Sequence, residues 1–310
     1  MATQPLVTFI TATYNTAPYL RETIDSVLAQ TYANIEYIVL DDGSTDDTID
    51  ILKSYGDRIT WTTHPNVGET RTVNKGFGMA KGDYIVVVSA DDPVKPRLAE
   101  VAVPFMEARP DILVGYPGWD IIDSQSTVID TPRMFDYNYD QMLRWHYCMP
   151  GPGTFIRRRA IELEQGRNTD YRYIGDYEFW VRLGLRGDFA YIPHNLATWR
   201  FHAASTSVNQ RNARMAEEHI RLFETFYQRT DLPESVLQAR AEALSTAYYV
   251  AALMLLPADL DAARPYLIRS FKLFPFAPRR YPTGLIRSKR YQLVAFFPFL
   301  RRALITASLR

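Results

Sequence analysis

Tyr84-Ile85-Val86-Val87-Val88-Ser89-Ala90-Asp91-Asp92 runs from five apolar residues almost directly into two adjacent carboxylates. An unbroken apolar run without polar alternation is the pattern of a strand buried on both faces. Two like charges at its end repel each other unless a cation sits between or beside them. Oxygen ligands of this kind suit Mg²⁺ or Mn²⁺, which are held by one or two carboxylates together with substrate phosphates. Pro93 and the residues after it also allow a plainer reading, a capped helix start.

Upstream of that strand the chain alternates apolar runs with helical patterns. Leu6 to Thr13 and Ile35 to Leu40 read as strands, and Arg58 to Thr63 as a third. Between them, Ala17 to Gln30 carries Leu20, Ile24, Val27 and Leu28 at helical spacing, and Thr70 to Ala80 forms another helix. Repeated strand–helix–strand units predict an α/β fold, a mostly parallel sheet with helices on both faces. In such sheets ligands bind at the carboxyl ends of strands. A second acidic cluster, Asp41-Asp42-Gly43-Ser44-Thr45-Asp46, falls at such an end. Helix capping accounts for Ser44 or Thr45 with Asp46 and Asp47 but does not require two acids before the glycine. A carboxylate there can accept a hydrogen bond from a nucleobase N–H.

The segment Asp111 to Trp199 is less regular, rich in Gly, Pro and aromatic residues, and irregular segments of this length build sites. Beyond Ser207 the pattern is helical. We therefore expect two domains, residues 1–208 and a helical, basic region 209–310, with no internal repeat.

The chain has 310 residues, 47% of them hydrophobic, enough for a full core. One cysteine, Cys148, excludes an intramolecular disulfide framework and any multi-cysteine metal site. Met1 to Phe9 lacks the basic and apolar regions of a signal peptide, and Ala243 to Ala258 falls short of the roughly 20 residues a spanning helix needs. The zero net charge hides a division. Arg264 to Arg310 holds eleven Lys/Arg and no acid, leaving 24 basic against 35 acidic residues before it. Basic residues interleaved with Phe271, Phe274, Phe276, Phe296, Phe297 and Phe299 suit an anionic membrane surface, or equally an intramolecular contact with the acidic body.

Several stretches, in order, resemble family 2 glycosyltransferases, which have the GT-A fold. They are Val7-Thr8-Phe9-Ile10-Thr11-Ala12-Thr13-Tyr14-Asn15, Asp41-Asp42-Gly43-Ser44-Thr45-Asp46, Asn66-Val67-Gly68, Ala90-Asp91-Asp92-Pro93, Asp176-Tyr177-Glu178-Phe179-Trp180 and Trp199-Arg200-Phe201-His202. The likeness spans roughly residues 5–207, and the ordered set is far more specific than any one piece. It implies that Thr11 and Tyr14 line a nucleotide pocket and that Asp42, or else Asp41, reads the base. It puts a metal-binding carboxylate at Asp91, with Ala90 and Asp92 alongside, and His202 on the metal or diphosphate. Ser89 stands where many members have the motif's first acid. Val73 stands where many carry Arg, and either Arg71 replaces it or the phosphate contact comes from elsewhere.

Asp176 matches the family's catalytic base. The chemistry asks for one carboxylate able to take a proton from an acceptor hydroxyl. An N-cap role for Asp176, and Glu178 as base, are the alternatives. Trp180 could stack on a sugar but has the spacing of a core residue. The resemblance implies an inverting, Mg²⁺- or Mn²⁺-dependent transfer from a nucleotide sugar, UDP-linked by expectation, to a glycan or lipid-linked glycan. The enzyme would be cytoplasmic, peripheral at the inner face of the membrane through residues 264–310, with no nucleic-acid partner. A noncatalytic nucleotide-sugar or glycan-binding module on the same fold is the rival. No GxxxxGK[ST] loop, GxSxG elbow or HExxH pair occurs.

Overall fold

Alternation within the first strand sets the layers. In the computed structural model, which describes residues 4–202, 212–256 and 259–275, β1 (Val7–Thr13) turns Val7 and Phe9 to one side of the sheet and Ile10 to the other. Val7 and Phe9 pack with Leu20, Ile24 and Val27 of α1 (Ala17–Leu28). Ile10 packs with Ile38 and Leu40 of β2 (Ile35–Asp41) and with Val73 and Phe77 of α3 (Glu69–Met79). Burying each of these side chains contributes about 1.5–3 kcal/mol. Val73 is thus a core residue, which accounts for an apolar side chain where arginine is common in the family it resembles.

Between β2 and α3 lie α2 (Thr48–Tyr55) and β3 (Thr60–Thr63), and β4 (Tyr84–Val87) follows. Next come α4 (Leu98–Glu107), β5 (Val114–Ile122), β6 (Val128–Asp130), α5 (Tyr139–Trp145), β7 (Phe155–Arg157), α6 (Arg158–Glu164), α7 (Gly175–Leu183) and β8 (Phe189–Arg200). The strand order is β3-β2-β1-β4-β7-β5-β6, with β8 on β5. Strands β3, β2, β1 and β4 are parallel, and β5 is parallel to β8. β7 enters antiparallel between β4 and β5, so the sheet is mixed.

The segment expected to be irregular contains the two longest strands. Gly115, Pro117 and Gly118 in β5 and Pro193 in β8 look like breakers, yet Gly115 pairs in register with Ala190, and register shifts at Pro117/Gly118 and Gly118/Trp119 absorb the other three. Through β7, Gly115 lies level with Val86. The seven residues beyond Gly115 therefore carry β5 about 23 Å further, at about 3.3 Å each, past the carboxyl ends of the parallel strands.

The described chain forms two units. One runs to Tyr137 and resumes at Met149. The other takes Asn138–Cys148 and the helices Ala213–Phe226, Glu234–Gln238, Arg240–Leu255 and Leu260–Leu273. Helix α5, expected in the first domain, thus packs in the helical unit, where Arg144 pairs with Glu242 at 3.1 Å. Among the described residues no helix is long and apolar enough to cross a membrane. Most of the basic tail, residues 276–310, and the expected boundary near residue 209 lie outside the described residues.

Candidate active site

At the end of β2 both acids are buried and engaged. Asp41 accepts from the N–H groups of Gly43 and Ser44 and from the Thr63 hydroxyl at 2.6 Å, closing the turn at Gly43, whose φ of 79° suits glycine. Asp42 accepts from Val67 N–H at 2.7 Å and Gly68 N–H at 2.9 Å, with His64 Nδ1 3.5 Å away. The pair thus fixes the loop that leads into α3. Capping by Ser44 or Thr45 does not occur, because α2 starts later, at Thr48. Ser44 instead accepts from Asn15 N–H, and Asn15 Oδ1 accepts from Thr45 N–H, which ties the loops after β1 and β2 together. Asp46 accepts from the N–H groups of Ala17 and Thr48 at the starts of α1 and α2.

The loop after β4 is zipped to β8. Lys95 N–H donates to Leu196 O, the Thr198 hydroxyl to Pro93 O, and Arg200 N–H to the Asp92 carboxylate at 2.6 Å. Asp92 is therefore turned inward. Burial, and next the neighbouring Asp91 charge, push its carboxyl well above the usual range, against the Arg200 N–H and the Ser89 hydroxyl, which favour the anion. Asp91 keeps partial exposure, and His202 Nε2 lies 2.9 Å from its Oδ2. Ala90 belongs to the core.

Arg200, which the sequence shows only as part of the Trp199–His202 run, organises this corner. Its fully buried guanidinium donates to Asp91 O, Asp123 O, the Ser126 hydroxyl and Glu22, and lies over the Tyr19 ring. The sequence signal was an arginine two residues before the candidate histidine, legible only once pairing had placed β8 beside the acidic loop.

Asp176 stands in the first turn of α7, exposed, with its Oδ1 accepting from Tyr177 N–H. The helix N-cap is Ile174, so the capping alternative fails. Gly175 presses on α3: a Cβ there would meet Thr70 Oγ1 at 2.6 Å. Thr70 also donates to Tyr171 O at 2.8 Å, which fixes the approach of α7. Glu178 is buried in a two-pronged ion pair with Arg182, at 2.6 and 2.9 Å, and Arg182 continues to Glu164 at 2.7 Å. Trp180 is a core residue, edge-on to Phe189.

Of the expected nucleotide contacts, Tyr14 and Arg71 are exposed. Thr11 is fully buried, its hydroxyl 3.0 Å from Tyr37 Oη. Among the described residues no three His, Cys, Asp or Glu side chains gather as a ready metal site. Asp91 and His202 nevertheless fit a divalent ion, since one carboxylate oxygen and one imidazole nitrogen leave positions for phosphate oxygens and water.

This architecture, parallel strands carrying acids at their carboxyl ends with a mixed extension, is the GT-A fold. Staphylococcus aureus TarS, in a crystal structure with UDP-GlcNAc, superposes with a TM-score of 0.70 at 16% identity, covering 94% of this chain and 89% of that one. The mannosyltransferase PcManGT of Pyrobaculum calidifontis, in complex with GDP-Man and Mn²⁺, matches at a TM-score of 0.57 and 19% identity, covering 95% and 86%. In sequence, residues 8–164 match Glycosyl transferase family 2. A Rickettsia prowazekii protein described as an uncharacterized glycosyltransferase is 32% identical over 244 residues, 75% of each chain. The Escherichia coli UDP-Glc:alpha-D-GlcNAc-diphosphoundecaprenol beta-1,3-glucosyltransferase WfaP is 32% identical over 212 residues, 66% of this chain and 81% of that one. The chain belongs to glycosyltransferase family 2.

Proposed function

We propose that this chain moves a sugar from a UDP-linked donor to a hydroxyl of a glycan or lipid-linked glycan, inverting the anomeric centre, with Asp176 as the base. The observation that carries this reading is the contrast between two acids on one helix turn. Glu178 is spent on Arg182, whereas Asp176 is exposed and makes no ion pair among the described residues. Asp176 takes the acceptor proton as the hydroxyl oxygen attacks the anomeric carbon. The bond to the diphosphate breaks on the opposite side, and no covalent enzyme intermediate forms. Asp91 and His202 would hold Mg²⁺ or Mn²⁺, which when bound supplies positive charge to the departing diphosphate. The UDP-linked donor and lipid-linked acceptor in the name of WfaP support the substrate classes.

The test is a panel of single nucleotide sugars incubated with the protein and Mn²⁺, reading nucleoside diphosphate freed by slow hydrolysis. UDP sugars should give the largest release. Donor binding without release from any sugar would favour the noncatalytic module instead.

The same reading places the protein at an anionic leaflet, through residues 264–310. Helix Leu260–Leu273 buries Leu260, Ala263 and Leu267 and leaves Arg264, Arg269 and Lys272 exposed. Each cation near such a surface contributes about 1 kcal/mol. Sedimentation with phosphatidylglycerol vesicles at low salt, released at high salt, is the expected result.

A further inference from the structure

Helix α1 has two working faces. Leu20, Thr23, Ile24 and Val27 enter the core. Tyr19 and Glu22, three residues apart and so on one side of the helix, turn to the corner where β8 meets the acidic loop. Glu22 takes Arg200 at 2.7 Å, and the Tyr19 ring receives both the Arg200 guanidinium and the His202 imidazole, each 4.7 Å from the Tyr19 ring centroid. His202, nine-tenths buried at its side chain, is thereby bounded by an aromatic ring on α1 and by the Asp91 carboxylate at 2.9 Å.

The start of α1 is itself anchored. Ala17 N–H donates to Asp46 at 3.0 Å, Tyr19 N–H donates to Thr16 O, and Pro18 fixes the backbone of the first turn. A ring carried on so fixed a turn is suited to hold an imidazole in one orientation. A metal-binding histidine depends on such support, because its nitrogen must point along one line.

We propose that Tyr19 is a positioning residue for sugar transfer, holding the His202 ring against Asp91 so that the two present one nitrogen and one oxygen to the ion and diphosphate. This rests on the reading of Asp91 and His202 as the ion-binding pair. It assigns the first turn of α1 a part in donor binding that goes beyond packing. Its signature is selective: loss of the ring weakens UDP binding where the ion is needed and leaves ion-independent binding alone.

The experiment is calorimetric titration of the full chain with UDP, in Mn²⁺ and in EDTA, for four variants. Tyr19→Leu is expected to lower UDP affinity in Mn²⁺ about 10- to 100-fold, the usual cost of losing support behind a metal ligand, with the EDTA value unchanged. Tyr19→Phe keeps the ring and should recover the affinity. Ile24→Val loosens the core face of the same helix and should leave the Mn²⁺ enhancement intact, which separates positioning from general destabilisation. His202→Ala separates the two layers of the argument. If His202→Ala loses the Mn²⁺ enhancement while Tyr19→Leu retains it, the Tyr19 assignment is overturned and the ion-binding pair stands. If His202→Ala also retains it, both are overturned.

Discussion

Arg200 Nη2 meets the Glu22 carboxylate at 2.7 Å, with the arginine side chain fully buried and the glutamate nearly half exposed. A buried guanidinium is stable only when its donors are satisfied, and main-chain oxygens of Asp91 and Asp123 take two of them. Arg200→Met strands those carbonyls and should cost about 3 kcal/mol or more in urea denaturation. Glu22→Gln keeps an acceptor at the exposed end and should cost about 1 kcal/mol. Equal losses would mean that the ion pair, rather than the carbonyl contacts, holds the acidic loop.

Asp176→Asn preserves size but cannot accept the proton. Transfer should fall about 10²- to 10⁴-fold, with UDP affinity in Mn²⁺ unchanged. Glu178→Gln should instead lower the melting temperature, because it leaves Arg182 buried with a weakened fork. An active Asp176→Asn enzyme beside an inactive but folded Glu178→Gln enzyme would reverse the assignment of the base.

The parallel half of the sheet could be read from sequence because its cues are local. Val7 to Thr13, Ile35 to Leu40 and Tyr84 to Val88 are runs of β-branched and aromatic residues bounded by turn chemistry. β5 and β8 could not be read so, since Gly115, Pro117 and Pro193 obey strand pairing rather than propensity. The acids at both strand ends were visible, but their division of labour was not. Asp92 and Asp91 are identical in sequence terms and differ only because β8, more than a hundred residues later, gives its Arg200 N–H to Asp92 and brings His202 to Asp91. Tyr19 and Glu22 look like ordinary surface residues of an amphipathic helix until that strand is in place.

Gly175 tests how tightly the proposed base, Asp176, is placed. A Cβ at 2.6 Å from Thr70 Oγ1 must push α7 away from α3, and overpacking of this kind costs about 1–3 kcal/mol. Gly175→Ala should therefore lower both stability and turnover. Adding Thr70→Ala removes the obstructing atoms, so the double variant should lose less than the two single losses combined. Strict additivity in denaturation would show that the two residues do not press on each other.

The helical unit is expected to carry its own acid sensitivity. His219 Nδ1 lies 2.7 Å from His146 Nε2, both rings are buried, and burial lowers the His219 pKa to about 4. The unfolded chain takes up this proton near pH 6.5 and the folded chain only near 4. Between those values the unfolded state binds more protons, and stability falls as the pH falls. Each unit in that window costs about 1.4 kcal/mol, so at pH 5 the wild-type protein should be about 2 kcal/mol less stable than at pH 7 through this group alone. His219→Gln removes the titration while keeping a polar side chain toward His146. Its urea-derived stability should decline less steeply between pH 6.5 and 4.5, the two curves diverging by about one bound proton. Parallel curves for the wild-type and His219→Gln proteins would place the acid sensitivity elsewhere in the chain.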